Sequence, residues 1–274
     1  MKAGVVRLER KVAVTRVKTD AEEQDKFQAI FTTHLHDVAE RLGSELHVKH
    51  EPAKPREIND STSFERIAGL KNLFHMNPLP VLDFDLAEGT QLFSPPFDKG
   101  WQEGAGSPLS QLDGTSIVVG ADGFSASGFG VFLRADAHVS VSVMPQGQFR
   151  GGWLNFDGAS PLRSSGGSGA VVYNGETVVL QRLATVWNVQ DPPNYAHANF
   201  DLPFSDTATP PAMGTFGPVT IGPVIFDMFA GQQNLVWFYI WQLNASIEKK
   251  NFLVFDEAKI PLISVTVTPP IFIH

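Results

Sequence analysis

The run Leu235 to Leu243 reads L-V-W-F-Y-I-W-Q-L, and it restricts the possible folds of this chain more than any other stretch. In an extended strand the odd positions place Leu235, Trp237, Tyr239, Trp241 and Leu243 on one face, while Val236, Phe238 and Ile240 line the other. A strand apolar on both sides has to be covered on both sides. The chain needs either three packed layers here or an oligomer contact that supplies the missing one.

Strand signals recur around it. Ser116 to Val119 is followed by Phe129, Val131 and Leu133 on one alternating face, and Val139, Val141 and Val143 alternate with His138, Ser140 and Ser142. Val171 to Tyr173 and Thr177 to Leu180 flank Asn174-Gly175, the strongest hairpin signal in the chain. Further strands are expected at Thr185 to Val189, Ile221 to Phe226, Phe252 to Phe255 and Ile263 to Thr268. Turns, not crossover helices, separate them. The expected fold is mainly β, an antiparallel β-sandwich, with a jelly roll preferred to an immunoglobulin-like order and a partly closed barrel as the alternative.

The N-terminal part differs. Gly4 to Lys18 suits an edge strand because of its charges. Asp20 and Glu23 then offer a helix cap ahead of Phe27, Ile30, Phe31, Leu35, Val38 and Leu42, with Gly43 as a stop. A core-docked helix is preferred to a membrane-seeking one. A second helix is expected after Ser61 or Ser63, and Leu86 to Leu112 reads as a long wrapping connection. The expected division is a charged α/β region and wrap over 1–110, and a sandwich body over 111–274.

Composition narrows the classes. The 274 residues are 43% hydrophobic and only 18% charged, enough for a large core. A net charge of -8 argues against nucleic acid as a partner. No lysine occurs between Lys99 and Lys249, as expected if sheet packing, glycine-rich loops or subunit contacts occupy that surface. With no cysteine there are no disulfides and no thiolate metal sites. Without an evident signal peptide the expected location is the cytoplasm, or outside the cell by a non-classical route. On that reading the triplets at Asn59 and Asn244 carry little weight as glycosylation sites.

No cofactor is expected. His34, His36, His47 and His50, with Asp37 and Glu51, have metal-ligand chemistry, but His34 and His36 diverge on a helix and do not form a helical ligand pair. Asp83 and Asp85 could hold a divalent cation, although no phosphate loop accompanies them. The segments Gly123 to Gly128 and Ser164 to Gly169 lack the spacing of a nucleophile elbow, and Gly166, Gly167 and Gly169 suit a tight surface turn. Asp157, Glu176, Asp191 and Asp201 are candidates for a glycosidase pair.

The richer surface chemistry is aromatic and amide. Trp101, Trp153, Trp187, Asn188, Gln190, Asp191, Tyr195, Asn199 and Asp201 together have what a sugar site requires, ring faces for the sugar and amides and carboxylates for its hydroxyls. The leading expectation is a non-enzymatic recognition protein binding carbohydrate or protein through sandwich loops, and forming homo-oligomers. Behind it stand an oligomeric shell or structural component, a membrane-active pore former and a carboxylate-dependent glycoside hydrolase.

Overall fold

A computed structural model describes residues 13–45, 90–104, 106, 108–156, 162–192, 197–203, 222–245, 247 and 252–268. Within them lie thirteen strands and one helix. The strands are β1 (Val14–Arg16), β2 (Thr90–Phe93), β3 (Lys99–Gly104), β4 (Leu109–Ser110), β5 (Thr115–Val119), β6 (Gly123–Ala135), β7 (Val139–Asn155), β8 (Arg163–Asn174), β9 (Thr177–Gln190), β10 (His197–Pro203), β11 (Val224–Met228), β12 (Gln233–Ala245) and β13 (Phe252–Thr268). The helix is α1 (Ala21–Glu45).

All strand pairing is antiparallel, in two sheets. Sheet A runs β1-β6-β12-β8-β9, with β3 also on β6; sheet B runs β10-β7-β13-β5-β4, with β11 on β7 and β2 on β13. β10 and β11 share one edge of β7 and act as two halves of a single strand. Counted that way from β5, the principal strands in chain order are first, eighth, third, sixth in sheet B and second, seventh, fourth, fifth in sheet A. That interleaving is a jelly roll, two nested Greek keys closed face to face.

The space between the sheets is filled. Phe129, Val131 and Leu133 from β6, Val139, Val141 and Val143 from β7, and Val236, Phe238 and Ile240 from β12 meet there, none more than 1% exposed. The other face of β12 answers to α1. Phe27, Phe31, Leu35, Val38 and Leu42 pack onto Leu235, Trp237, Tyr239, Trp241 and Leu243, so the helix is the third layer that the doubly apolar strand requires. Phe31 lies flat on Trp237 with ring centroids 4.4 Å apart, and edge-on to Trp101 at 4.8 Å. Asp20 caps the helix by accepting the Glu23 N–H at 2.9 Å.

The aromatic stripe is seated by glycines. Gly128 and Gly169 stand opposite Tyr239 on the two neighbouring strands, Gly130 opposite Trp237 and Gly167 opposite Trp241. A methyl group at Gly169 would lie 2.2 Å from Tyr239 Cζ, and one at Gly166, on the inner face, 2.5 Å from Trp187 Nε1. Gly166, Gly167 and Gly169, expected in a surface turn, therefore lie inside β8, and they are bare so that large rings can lie across them. Local composition resembles a loop because the ring that uses the space is remote in sequence.

Other expectations shift as well. The helix runs through Gly43 to Glu45. Leu86 to Leu112 is not a plain connection, since β2, β3 and β4 pair along sheet edges within it. The two segments expected at Phe252 to Phe255 and Ile263 to Thr268 are one strand, β13, whose register shift between Lys259 and Leu262 accommodates Pro261. β10 had no recognisable strand signal. The second helix expected after Ser61 lies outside the described residues.

Candidate functional site

The predicted ligand residues divide by burial. Trp101 is under α1, its Nε1 donating to Thr32 Oγ1 at 3.3 Å. Trp153 is stacked on Phe252 in the inter-sheet core, and Trp187 is buried in the same core. None of the three presents a ring face to solvent. Asn188 accepts a hydrogen bond from Ser165 Oγ at 2.9 Å; Gln190 and Asp191 are exposed at the end of β9. Asp191, at a φ of +43°, uses its carboxylate to accept the Leu162 N–H at 2.7 Å, which ties two loops together. The backbone of Asn199 and Asp201 pairs with Gly152 and Arg150, while Tyr195 lies outside the described residues.

Trp187 has a different task. Its Nε1 donates to Asp256 Oδ1 at 3.0 Å, and Gln242 Nε2 donates to Asp256 Oδ2 at 2.7 Å and to Val118 O at 3.2 Å. Asn244 Nδ2 donates to Gln242 Oε1 at 3.5 Å and to Ala121 O at 3.1 Å, and Ser164 Oγ donates to Asn244 Oδ1. Ser164, Asn244 and Gln242 form a relay that ends on Asp256, with side branches from Gln242 and Asn244 to the Val118 and Ala121 carbonyls. Burial pushes the Asp256 carboxyl up to about 8, against the pull of the Gln242 and Trp187 donors, so it is largely protonated at neutral pH. The network pins β8, β9, β12 and β13 together and opens to no surface, a structural role.

The layer under α1 is different in kind. His34 Nε2, Tyr173 Oη, Tyr239 Oη, Trp237 Nε1 and Trp241 Nε1 are all buried there without a hydrogen-bond partner among the described residues. Burial lowers His34 to about 4, and it raises the hydroxyls of Tyr173 and Tyr239 well above the ordinary phenol value. At the rim, Lys26 pairs with Glu176 at 2.6 Å and His36 Nε2 is hydrogen-bonded to Glu103 Oε1 at 2.6 Å.

The surface feature that sequence reasoning missed is the side of the sandwich where β9 and β11 form sheet edges. Pairing shifts where Leu180 faces Val172 and Val178 faces Tyr173, leaving Val179 as the extra residue of a bulge. The bulge breaks alternation, and both Val178 and Val179 are exposed, at 43% and 46%. On β11, Val224, Phe226 and Met228 turn inward and Ile225 outward at 53% exposure; Phe229 follows, stacked on His138 at 4.6 Å. The consecutive valines in Thr177-Val178-Val179-Leu180 were the available signal. Neither edge carries a lysine, but Arg182 on β9 and Asp227 on β11 are exposed charges there.

Among the described residues no three histidine or acidic side chains gather as metal ligands. His34 is buried and His36 exposed, as their two-residue spacing on a helix implies; His47, His50, Glu51, Asp83, Asp85 and Asp157 lie outside the described residues. Glu176 is engaged with Lys26 at the hairpin tip, far in role from an acid-base pair. Asn244 of the second glycosylation triplet is buried in the inter-sheet network. Among the described residues no helix is long and apolar enough to cross a membrane.

No family model and no curated protein matches the sequence. Among solved structures it is similar to chains in "Structure of infectious bursal disease virus Gt strain" at 10% identity and TM-score 0.18, covering 71% of this chain and 48% of that one. The corresponding Gx strain structure gives 11% identity and TM-score 0.18, covering 69% and 43%. A crystal structure of the T13 viral particle of the same virus gives 9% and 0.17, covering 71% and 45%. The chain spans less than half the length of each. Superpositions this loose carry no argument about function; the jelly-roll assignment stands on the strand order of the molecule itself.

Proposed function

We propose that this chain is a structural subunit that assembles with copies of itself through the side where β9 and β11 are the last strands of their sheets among the described residues. The observation that carries the reading is the pair of valines turned outward by the β9 bulge, with Ile225 and Phe229 exposed on β11. Exposed apolar side chains gathered on one side mark an association surface, and the exposed Arg182 on β9 and Asp227 on β11 are opposite charges that two copies of this side can pair. Among the described residues the inward side chains of the two sheets pack against one another as one apolar cluster, which fits a building block.

Recognition of a carbohydrate or protein through the loops is the weaker reading. Gln190 is exposed at the end of β9, but Asp191 already accepts the Leu162 N–H and the three tryptophans that would hold a sugar face are engaged in packing.

Light scattering coupled to size exclusion tests the proposal. The wild type is expected to run as an assembly over a wide concentration range. Val178→Lys with Ile225→Lys is expected to run as a monomer with an unchanged circular dichroism spectrum. A monomeric wild type, or an assembly that survives both lysines, overturns the proposal.

A further inference from the structure

The side that carries β9 and β11 has a direction as well as an apolar character. Two contacts fix how the strands lie along it. At one end Asn174 Nδ2, in the turn between β8 and β9, donates to Gln232 Oε1 at 2.6 Å, which puts the start of β9 beside the turn that follows β11. At the other end Arg182 reaches Gly222, just ahead of β11, with Nη1 3.5 Å from where a Cβ on that glycine would stand. The two strands therefore run past each other in opposite directions. Arg182 is level with the entrance of β11, and Val178 and Val179 lie toward its exit. Asp227 is also toward the exit, about 15 Å from Gly222 at the rise of an extended chain. Arg182 and Asp227 are both exposed, and so is Ile225 between them.

The side is thus a short row with a cation at one end, an aliphatic centre and an anion at the other. Such a row is complementary to its own inverse. We propose that two copies meet here about a two-fold axis near Ile225, with Arg182 of each copy on Asp227 of the other. The proposal rests on assembly through β9 and β11, and it gives that assembly a geometry, a closed pair.

Charge selects the orientation. The opposite one would set Arg182 against Arg182 and Asp227 against Asp227, and like charges facing each other across an interface are strongly disfavoured. Position selects the axis. The midpoint between Gly222 and Asp227 falls at Val224 and Ile225, so the two Ile225 side chains meet at the centre and the charges form the rim, the common anatomy of a protein interface. A two-fold contact uses the same patch on both copies, so it closes at two. The charge pairs need add little affinity, since exposed pairs chiefly fix orientation. Of the other charges at the exit end, Glu176 is paired with Lys26, and Arg134 lies beside Gly231 in the turn beyond Phe229.

Arg182→Glu and Asp227→Arg, made separately and together, test the pairing, with mass in solution read by light scattering over a dilution series. The wild type is expected at two copies per particle. Each single reversal sets like charges at both ends and is expected to weaken pairing at least about tenfold. Mixed in equal amounts, the two single variants are complementary at both ends, and hetero-pairs weighed by native mass spectrometry are expected at wild-type affinity. The double variant is expected to pair with itself and not with the wild type. Single variants that pair as the wild type does, a mixture of folded variants that stays apart, or a wild-type particle that grows past two copies through this side overturns the proposal. If a reversal does not fold, Arg182→Gln with Asp227→Asn takes its place. Its pairing is expected to lose the wild type's weakening by salt, and an unchanged salt response counts against the proposal in the same way. Val178→Lys with Ile225→Lys reads the apolar surface by itself: if those lysines dissociate the assembly and the reversals do nothing, the edge association stands and the reciprocal charge pair falls.

Discussion

The two faces of β12 bury equally apolar rows and are finished differently. Toward sheet B, Val236, Phe238 and Ile240 give way to Gln242 and Asn244, whose amides are locked into a directed chain ending on Asp256. Toward α1, Trp237, Tyr239 and Trp241 keep their polar atoms unpartnered. The inner side also holds unpartnered polar atoms among the described residues, Ser116 Oγ, Ser168 Oγ and Asn234 Oδ1, so the difference is the relay onto Asp256. A partnered polar network permits one arrangement of the strands around it, whereas ring stacking tolerates sliding and release. The inner face therefore fixes strand positions through directed hydrogen bonds, and the outer face holds α1 chiefly by ring and aliphatic packing.

The largest expected effect tests that division directly. Phe238→Ala on the inner face should cost about 3–5 kcal/mol of global stability, read as a lower urea midpoint with all probes moving together. Phe31→Ala removes a ring of the same size from the outer layer. Its effect should appear in amide exchange as early opening of α1 while β6, β8 and β12 stay protected. If α1 and the sheets open together in both variants, the two layers are one cooperative unit and the comparison collapses.

Acid and base should separate the layers further. Burial holds His34 near 4 in the folded protein against an ordinary 6.5, so the unfolded chain binds the proton first and stability falls as pH drops from about 6.5 to 4. The groups near it are Asp37, which favours the charged ring, Arg41, which opposes it, and Tyr173, edge-on at 6.3 Å. That loss, on the order of 3 kcal/mol when complete, should fall on the helix dock. Asp256 has the opposite sign. Its folded value near 8 lies above the ordinary 3.8, so the folded state keeps its proton longer, and stability is greatest below about pH 4 and declines as pH rises to about 8. The two slopes oppose each other between pH 4 and 6.5 and leave a decline between 6.5 and 8. In Asp256→Asn the thermal midpoint should lose that upper decline and show the acid-side rise alone; a midpoint profile parallel to the wild type would remove Asp256 as its cause.

Much of this architecture was legible in the chain. Periodicity located β7, β12 and α1, and the doubly apolar strand correctly demanded a third layer. Ring–glycine complementarity was not legible, because Gly169 is emptied for Tyr239 and Gly166 for Trp187, partners that only strand order brings together. The same blindness misdirected the ligand search. A tryptophan in a strand offers the same letters whether it faces a sugar, as Trp187 was expected to, or donates to a buried carboxyl, as it does. The edge valines escaped notice because a bulge is a property of pairing, and neither strand alone encodes which residue will be extra.

The smallest effects discriminate most finely, because they change one hydrogen-bonding atom and leave a ring in place. Trp187→Phe withdraws the indole N–H from Asp256, and Trp241→Phe withdraws one that has no partner. The two changes remove similar ring area, so transfer alone predicts similar costs. If the inner face is the specified one, Trp187→Phe should cost about 1–3 kcal/mol, since it leaves a buried carboxyl oxygen short of a donor. Trp241→Phe should lie within about 1 kcal/mol of the wild type, because relief of the buried N–H offsets the smaller ring. Chemical denaturation at pH 7 measures both. Equal losses would mean that the indole of Trp241 is as firmly specified as that of Trp187, and that α1 is held by more than the shape of the stripe beneath it.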